Sequence, residues 1–249
     1  MTKPHRLFHV SDLHFGVEHK AAIQWFADAV DDEKPDAVIC TGDLTQRATH
    51  RQFAAVRDFF GSLGTPVVIE PGNHDMPYFN LWERFTQPYK RYGALRNAIG
   101  GVLELEHLVL VSLKTTVRAQ PRWPWSDGFV TKDALAETLA ELEKLRGDPR
   151  FKILTAHHPL LPGPNDRKNP TIGGDAAFAA LSKAGVNAVL TGHVHVPFDM
   201  QRASGNHPVR MIGAGTLSTR LRGAEPGYNV IGFAPDTGLT IEQRVYSAD

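Results

Sequence analysis

The chain has 249 residues, of which 42% are hydrophobic, and its Lys and Arg equal its Asp and Glu at 27 each. That balance leaves no long basic track for a nucleic acid polymer or an anionic membrane. The single Cys40 excludes an intramolecular disulfide and suits a reducing compartment, and no apolar stretch approaches the roughly 20 residues of a membrane span.

The first apolar run, Leu7 to Val10, is too short for the apolar region of a signal peptide and leads directly into Ser11-Asp12-Leu13-His14. A soluble, cytoplasmic protein is expected, with one domain over residues 1–249. Residues 19–33 carry Ala22, Trp25, Phe26, Ala29 and Val30 at helical spacing. The run Ala37 to Cys40 follows and ends in Thr41-Gly42-Asp43, so the connection reads as β-α-β with parallel strands. A second helix over 48–62 buries Phe53, Val56, Phe59 and Phe60 and stops before Gly64 and Pro66. The run Pro66 to Ile69 then reaches Gly72-Asn73-His74-Asp75.

From Met76 to Ala98, aromatic and basic residues mix, and this segment is expected to pack over the sheet edge and to select substrate. Val102–Leu105 and Val109–Ser112 read as a hairpin opening a second sheet. A loop with Trp123, Pro124 and Trp125 is either a rigid surface loop with its indoles packed beneath it, or a site wall or subunit contact in a homo-oligomer. Leu135, Leu139, Leu142 and Leu145 mark an amphipathic helix over 132–146. The run Lys152 to Ala156 ends in His157-His158-Pro159, and a loop holding Arg167 and Lys168 leads to a helix over 174–184. Ala188 to Thr191 ends in Gly192-His193-Val194-His195. Two hairpins follow, Phe198–Arg202 with Val209–Gly213 and Tyr228–Phe233 with Leu239–Val245, and are expected to finish the second sheet.

Five apolar runs thus end in Asp, His or both. One such end is an ordinary turn. Five in order point to one edge of a sheet, where ligands of α/β proteins bind. In Asp12-x-His14 and His193-x-His195 the two side chains share a face if the backbone is extended. Asp, His and Asn without thiolate suit Mn, Fe or Zn, and a carboxylate such as Asp43 can bridge two ions. Two metals roughly 3.5–4 Å apart would clamp a phosphoryl centre and supply a hydroxide nucleophile near neutral pH.

The ordered set Asp12-x-His14, Gly42-Asp43, Gly72-Asn73-His74-Asp75, His157-His158-Pro159 and Gly192-His193-Val194-His195 resembles the calcineurin-like metallophosphoesterases. It is most similar to the bacterial branch holding cyclic-nucleotide phosphodiesterases and glycerophosphodiesterases. The resemblance implies an α/β fold: a four-layer αββα sandwich of two mixed sheets flanked by helices. It implies two divalent or mixed-valence metal ions, one held by Asp12, His14 and His195, the second by Asn73, His157 and His193, with Asp43 between them. His157 is preferred to His158 because the family's ligand sits two places before the proline. His74 matches the family's phosphate-contacting histidine, with protonation of the leaving oxygen as its candidate role, and Asp75 either orients His74 or caps the turn. Where many relatives place a glycine after Gly42-Asp43-Leu44-Thr45, this chain reads Gln46-Arg47-Ala48-Thr49.

The resulting expectation is a metal-dependent phosphodiesterase acting on a small molecule of the cyclic-nucleotide or glycerophosphodiester type. Its alternatives are a phosphomonoesterase or protein phosphatase, and a non-catalytic scaffold.

Overall fold

The computed structural model of the chain describes residues 4–100, 103–163 and 171–247. In chain order it runs β1 (His5–Val10), α1 (Lys20–Glu33), β2 (Ala37–Cys40), α2 (His50–Ser62), β3 (Val67–Ile69), a 3-10 turn (Asn73–Asp75), α3 (Leu81–Thr86) and α4 (Lys90–Ile99). The second half runs β4 (Leu108–Ser112), β5 (Gly128–Phe129), α5 (Lys132–Lys144), β6 (Phe151–Thr155), β7 (Thr171–Ile172), α6 (Gly174–Lys183), β8 (Ala188–Thr191), β9 (Phe198–Ser204), β10 (His207–Gly213), β11 (Gly227–Ala234) and β12 (Gly238–Val245).

The strand residues alternate between two cores, and that alternation builds the layers. Leu7, Ala37, Ile39, Ile153, Ala188, Leu190 and Ile231 point inward and meet between the sheets. Their neighbours Phe8, Val38 and Cys40 point outward, against Phe26 and Val30 of α1 and Phe53, Val56 and Phe60 of α2. On the far side Leu154 and Val189 meet Leu142 of α5 and Phe178 and Leu181 of α6. The result is the expected four-layer α/β sandwich. One sheet has the order β12-β11-β1-β2-β3 and the other β4-β6-β8-β10-β9. Both are mixed: β1, β2 and β3 run parallel, as do β4, β6, β8 and β10, while β9, β11 and β12 pair antiparallel.

The helices start where the local chemistry permits. Thr49 caps α2 by accepting from the Gln52 amide at 3.2 Å, while the Gln52 side chain accepts from the Thr49 amide at 3.4 Å, a reciprocal cap that contributes about 1 kcal/mol. Lys34, at φ 45°, ends α1 in a left-handed residue.

Two expectations differ from the structure. Leu103–Leu105 forms no strand, and Val102 lies outside the described residues; among the described residues no hairpin precedes β4, which pairs with β6 in parallel. The last hairpin does not finish the second sheet. β11 returns to the first sheet and pairs antiparallel with β1. β1 is buried on both faces and needs a partner on each edge; β2 supplies one and β11 the other.

Glu70, just beyond β3, joins the two sheets by accepting from Ser112 Oγ of β4 at 2.7 Å and Thr155 Oγ1 of β6 at 2.5 Å. Burial pushes its carboxyl up from 4.5 to about 7, against the pull of those hydroxyls. The folded chain therefore holds this proton more tightly than the unfolded chain. The associated stability is complete below about 4.5 and is lost as pH rises through about 7. Glu70→Gln should flatten the fall in stability between pH 5 and 8 by of order 1–3 kcal/mol, read by urea unfolding of the metal-free protein. An unchanged slope would contradict this account.

Candidate metal centre

Beyond the carboxyl ends of the parallel strands, loops from both sheets run side by side. After β1 and β2, the Asp12 amide donates to the Gly42 carbonyl and the His14 amide to the Asp43 carbonyl, both at 2.9 Å. After β6 and β8, the Gly192 amide donates to the His157 carbonyl at 2.9 Å. Bonds also cross between the loops of the two sheets, among them the His193 amide to Asp12 Oδ2 at 2.8 Å and His157 Nδ1 to the Thr41 carbonyl at 2.7 Å.

The backbone here is not extended. Asp12, His14, Asp43, His193 and His195 have φ of 55°, 45°, 51°, 69° and 61°. Each left-handed non-glycine residue costs of order 1 kcal/mol or more. The side chains of Asp12 and His14, and of His193 and His195, therefore converge through strained turns rather than by strand alternation. The glycines follow from the crowding. A Cβ on Gly72 would lie 2.1 Å from the Asp43 amide nitrogen, and one on Gly192 would lie 1.7 Å from Ser11 Oγ.

All seven expected ligands gather here. Groups with ligand atoms within 4.8 Å of one another are Asp12, His14 and His195; His14, Asp43 and His74; Asp12, Asp43 and His157; and His157, His158 and His193. Asn73 Oδ1 lies 3.2 Å from His157 Nε2. Asp43 Oδ2 stands between the two sides, 3.7 Å from His14 Nε2 and 3.5 Å from His157 Nε2.

The hydrogen bonds around the cluster test whether these residues fit metal ions. His195 Nδ1 gives its proton to the Arg220 carbonyl at 2.6 Å, so in the neutral ring Nε2 presents a lone pair. That lone pair faces Asp12 Oδ1 at 3.0 Å, and this oxygen is buried with no hydrogen-bond donor. His157 repeats the arrangement: Nδ1 is held by the Thr41 carbonyl, and Nε2 faces Asn73 Oδ1 and Asp43 Oδ2. Acceptors facing acceptors in a buried space call for a cation. The donor set suits metal ions of the Mn, Fe or Zn kind.

The electrostatics agree. Burial works to raise the Asp43 carboxyl, yet His157 and His74 hold it well below the usual carboxylate range. Burial works to lower His157, and Asp43 overrides it, raising the imidazole to about 9. Without a metal, a proton on His157 thus supplies the positive charge beside Asp43. Burial, then the neighbouring His157, lowers His193 to about 3.

The two histidines of the doublet differ in their hydrogen bonding. His158 Nδ1 meets Thr115 Oγ1 and Nε2 meets the Ser126 carbonyl, each at 2.9 Å, so both nitrogens are engaged away from the cluster. Asp75 also has other work. Its carboxylate accepts from the amides of Leu44, Thr45 and Gly72 at 2.9–3.1 Å and from Thr45 Oγ1 at 3.0 Å. The expected contact orienting His74 comes instead from the Gln46 carbonyl, 2.8 Å from His74 Nδ1. Asp75 caps and ties the two turns.

The two aromatic segments divide. Tyr89 and Tyr92 pack inward through their hydroxyls, to the Thr116 and Ile69 carbonyls. Tyr78, Phe79, Trp82 and Trp123 stand in solvent, Trp82 and Trp123 about 80% exposed, so the Trp123 indole is not packed beneath its loop. Arg167 and Lys168 lie outside the described residues.

One residue at the centre was not anticipated: Arg220, whose Nη1 lies 2.9 Å from His74 Nε2 and 3.4 Å from His14 Nε2. It follows β10, a further parallel strand that ends at the same edge. Its signal is the polar stretch Thr216-Leu217-Ser218-Thr219-Arg220 after an apolar run. A search for Asp and His at strand ends passes over it.

Residues 5–197 match the Calcineurin-like phosphoesterase family, and the chain belongs to that family of hydrolases, whose members use a dinuclear metal centre. It is 25% identical over 210 residues to a protein of Vesicomyosocius okutanii named a probable cyclic nucleotide phosphodiesterase, covering 79% of this chain and 81% of that one. It is 26% identical over 167 residues to a protein of Arcobacter nitrofigilis named a probable glycerophosphodiester phosphodiesterase, covering 65% and 57%. Among solved structures, a dimetal phosphatase from Danio rerio shares the fold at a TM-score of 0.67 and 12% identity, over 98% of this chain and all of the other. No helix among the described residues is long and apolar enough to cross a membrane.

The hydrogen bonding predicts how metal content responds to substitution. Asp43→Asn should lose both ions and His157→Gln at least one, whereas His158→Gln should keep two per chain by elemental analysis. Full loss in His158→Gln with retention in His157→Gln would reverse the assignment.

Proposed function

We propose that this protein hydrolyses a phosphodiester bond in a small molecule of the cyclic-nucleotide or glycerophosphodiester type, with two metal ions of the Mn, Fe or Zn kind. The observation that carries the reading is the two groups of Asp, His and Asn side chains that meet at Asp43 in a buried space. In this reading Asp12, His14 and His195 hold one ion, Asn73, His157 and His193 hold the other, and Asp43 holds both. When bound, such ions supply Lewis acidity at a phosphoryl group and a nucleophile near neutral pH.

The chain's own residues set the frame. The Arg220 and Thr41 carbonyls fix the tautomers of His195 and His157, so that each ring presents its Nε2. Asp75 holds the turns carrying Asp43 and Asn73 in register. His74, half-buried with its ring edge-on to His14 at 4.8 Å, stands beside the first cluster, where a phosphate oxygen would lie. The names of the Vesicomyosocius and Arcobacter relatives support diesters over monoesters, and their low identity keeps the organic group open between the two types.

The test is to strip the protein with chelator, reload it with Mn, and compare an aryl phosphodiester with the matching monoester. Diester turnover should dominate and should vanish in the stripped protein. Monoester preference would move the assignment to a phosphatase, and silence in the fully metallated protein would favour a binding scaffold. His74→Ala should lower kcat about 10²-fold with both ions retained, the scale of a lost positioning contact; loss of metal with unchanged specific activity per metallated chain would remove His74 from the reaction.

A further inference from the structure

The hydrogen bonds of His74 leave it no proton to offer the site. The Gln46 carbonyl, 2.8 Å from Nδ1, can only accept, so Nδ1 carries the hydrogen. Arg220 Nη1, 2.9 Å from Nε2, can only donate, so Nε2 presents its lone pair and that lone pair is engaged. In this arrangement the donor beside the first cluster is the guanidinium.

Arg220 is built in rather than draped over the surface. Its carbonyl accepts from His195 Nδ1 at 2.6 Å, and its amide donates to Ser218 Oγ at 3.2 Å. Ser218 Oγ lies 2.7 Å from Thr216 Oγ1, which donates to the Asp12 carbonyl at 2.6 Å. The loop that fixes a candidate metal ligand therefore also fixes the arginine. Among the described residues the guanidinium's polar contacts all run through Nη1, which donates to His74 Nε2 at 2.9 Å and lies 3.4 Å from both His14 Nε2 and Gln46 Oε1. Nε and Nη2 remain for a planar, two-pronged grip on an oxyanion, the geometry in which Arg binds phosphate. Electrostatics gives the same place to an anion: a guanidinium 3.4 Å from His14 Nε2 would face any cation held by His14 and needs negative charge between them.

Building on the proposed phosphodiester hydrolysis, we infer that Arg220 is the residue that holds a phosphate oxygen on this side of the site, and that His74 is a positioning residue acting through it. Arg220 transfers no proton. It donates hydrogen bonds to the phosphoryl group before and during P–O cleavage, and the departing oxygen takes its proton from water.

The experiment is calorimetric titration of inorganic phosphate into Mn-loaded protein, with metal content measured in parallel. Arg220→Ala should bind phosphate about ten- to a hundred-fold more weakly while keeping two ions per chain. Arg220→Lys, which keeps the charge but not the fork, should fall between. His74→Ala should lose less than Arg220→Ala, and the double variant should bind no more weakly than Arg220→Ala alone, since the two act as one unit. Wild-type affinity in Arg220→Ala, losses that multiply in the double variant, or loss of metal from Arg220→Ala would each overturn the inference. Because phosphate binding is read without any substrate, a failure of diester turnover leaves this test standing and speaks only to the proposed reaction.

Discussion

Asp43 is a carboxylate in a place where burial alone would neutralise it. It lies between two groups of imidazoles with almost no contact with water. Positive charge must be supplied locally, by protons or by metal ions, and much of the surrounding structure serves that need. Carbonyls of Thr41 and Arg220 turn His157 and His195 so that their lone pairs face inward. Left-handed turns at Asp12, His14, His193 and His195 crowd the ligands into the same small volume. Such strain persists only where the surroundings over-determine it. Here the crossed bonds between the loops of the two sheets do so.

Much of this was legible in the sequence. The Asp12, Asp43, Asn73, His157 and His193 motifs each follow an apolar run, and parallel strands bring such ends to one edge. The helices α1, α2 and α5 were readable because each has an apolar stripe of helical period. Other features needed long-range information. Leu103–Leu105 has strand composition yet pairs with no strand, although β4 beside it is an edge strand, while β11 looks like any hairpin strand and goes to β1 because that edge is open. Composition does not encode which edge is free.

The finer readings of the site divide in the same way. Residue type makes His157 and His158 equals, the resemblance favours His157 by its place before the proline, and the structure adds that both ring nitrogens of His158 are engaged, with Thr115 Oγ1 and the Ser126 carbonyl. Asp75 beside His74 suggested an orienting carboxylate, but its short side chain turns back to the amides of its own and the neighbouring turn. Arg220 was passed over because it is no metal ligand, although its backbone and its side chain both touch the centre. Residues that organise ligands through carbonyls leave no trace in residue type, since every residue has a carbonyl.

The pairing of β1 with β11 has a consequence for how the chain comes to its native state. His5 lies opposite Phe233, and His9 opposite Asn229, whose side chain also reaches the Gly213 carbonyl in the other sheet at 3.0 Å. On a ribosome, the opening strand would wait through the synthesis of more than two hundred residues before its second edge was covered. Until then an apolar strand edge stays open to other chains. Contacts this distant along the chain slow folding, because loop closure must precede any reward. Helices α1 and α2 cover a face of this sheet and not that edge, so only β11 removes the site at which a second chain could add a strand.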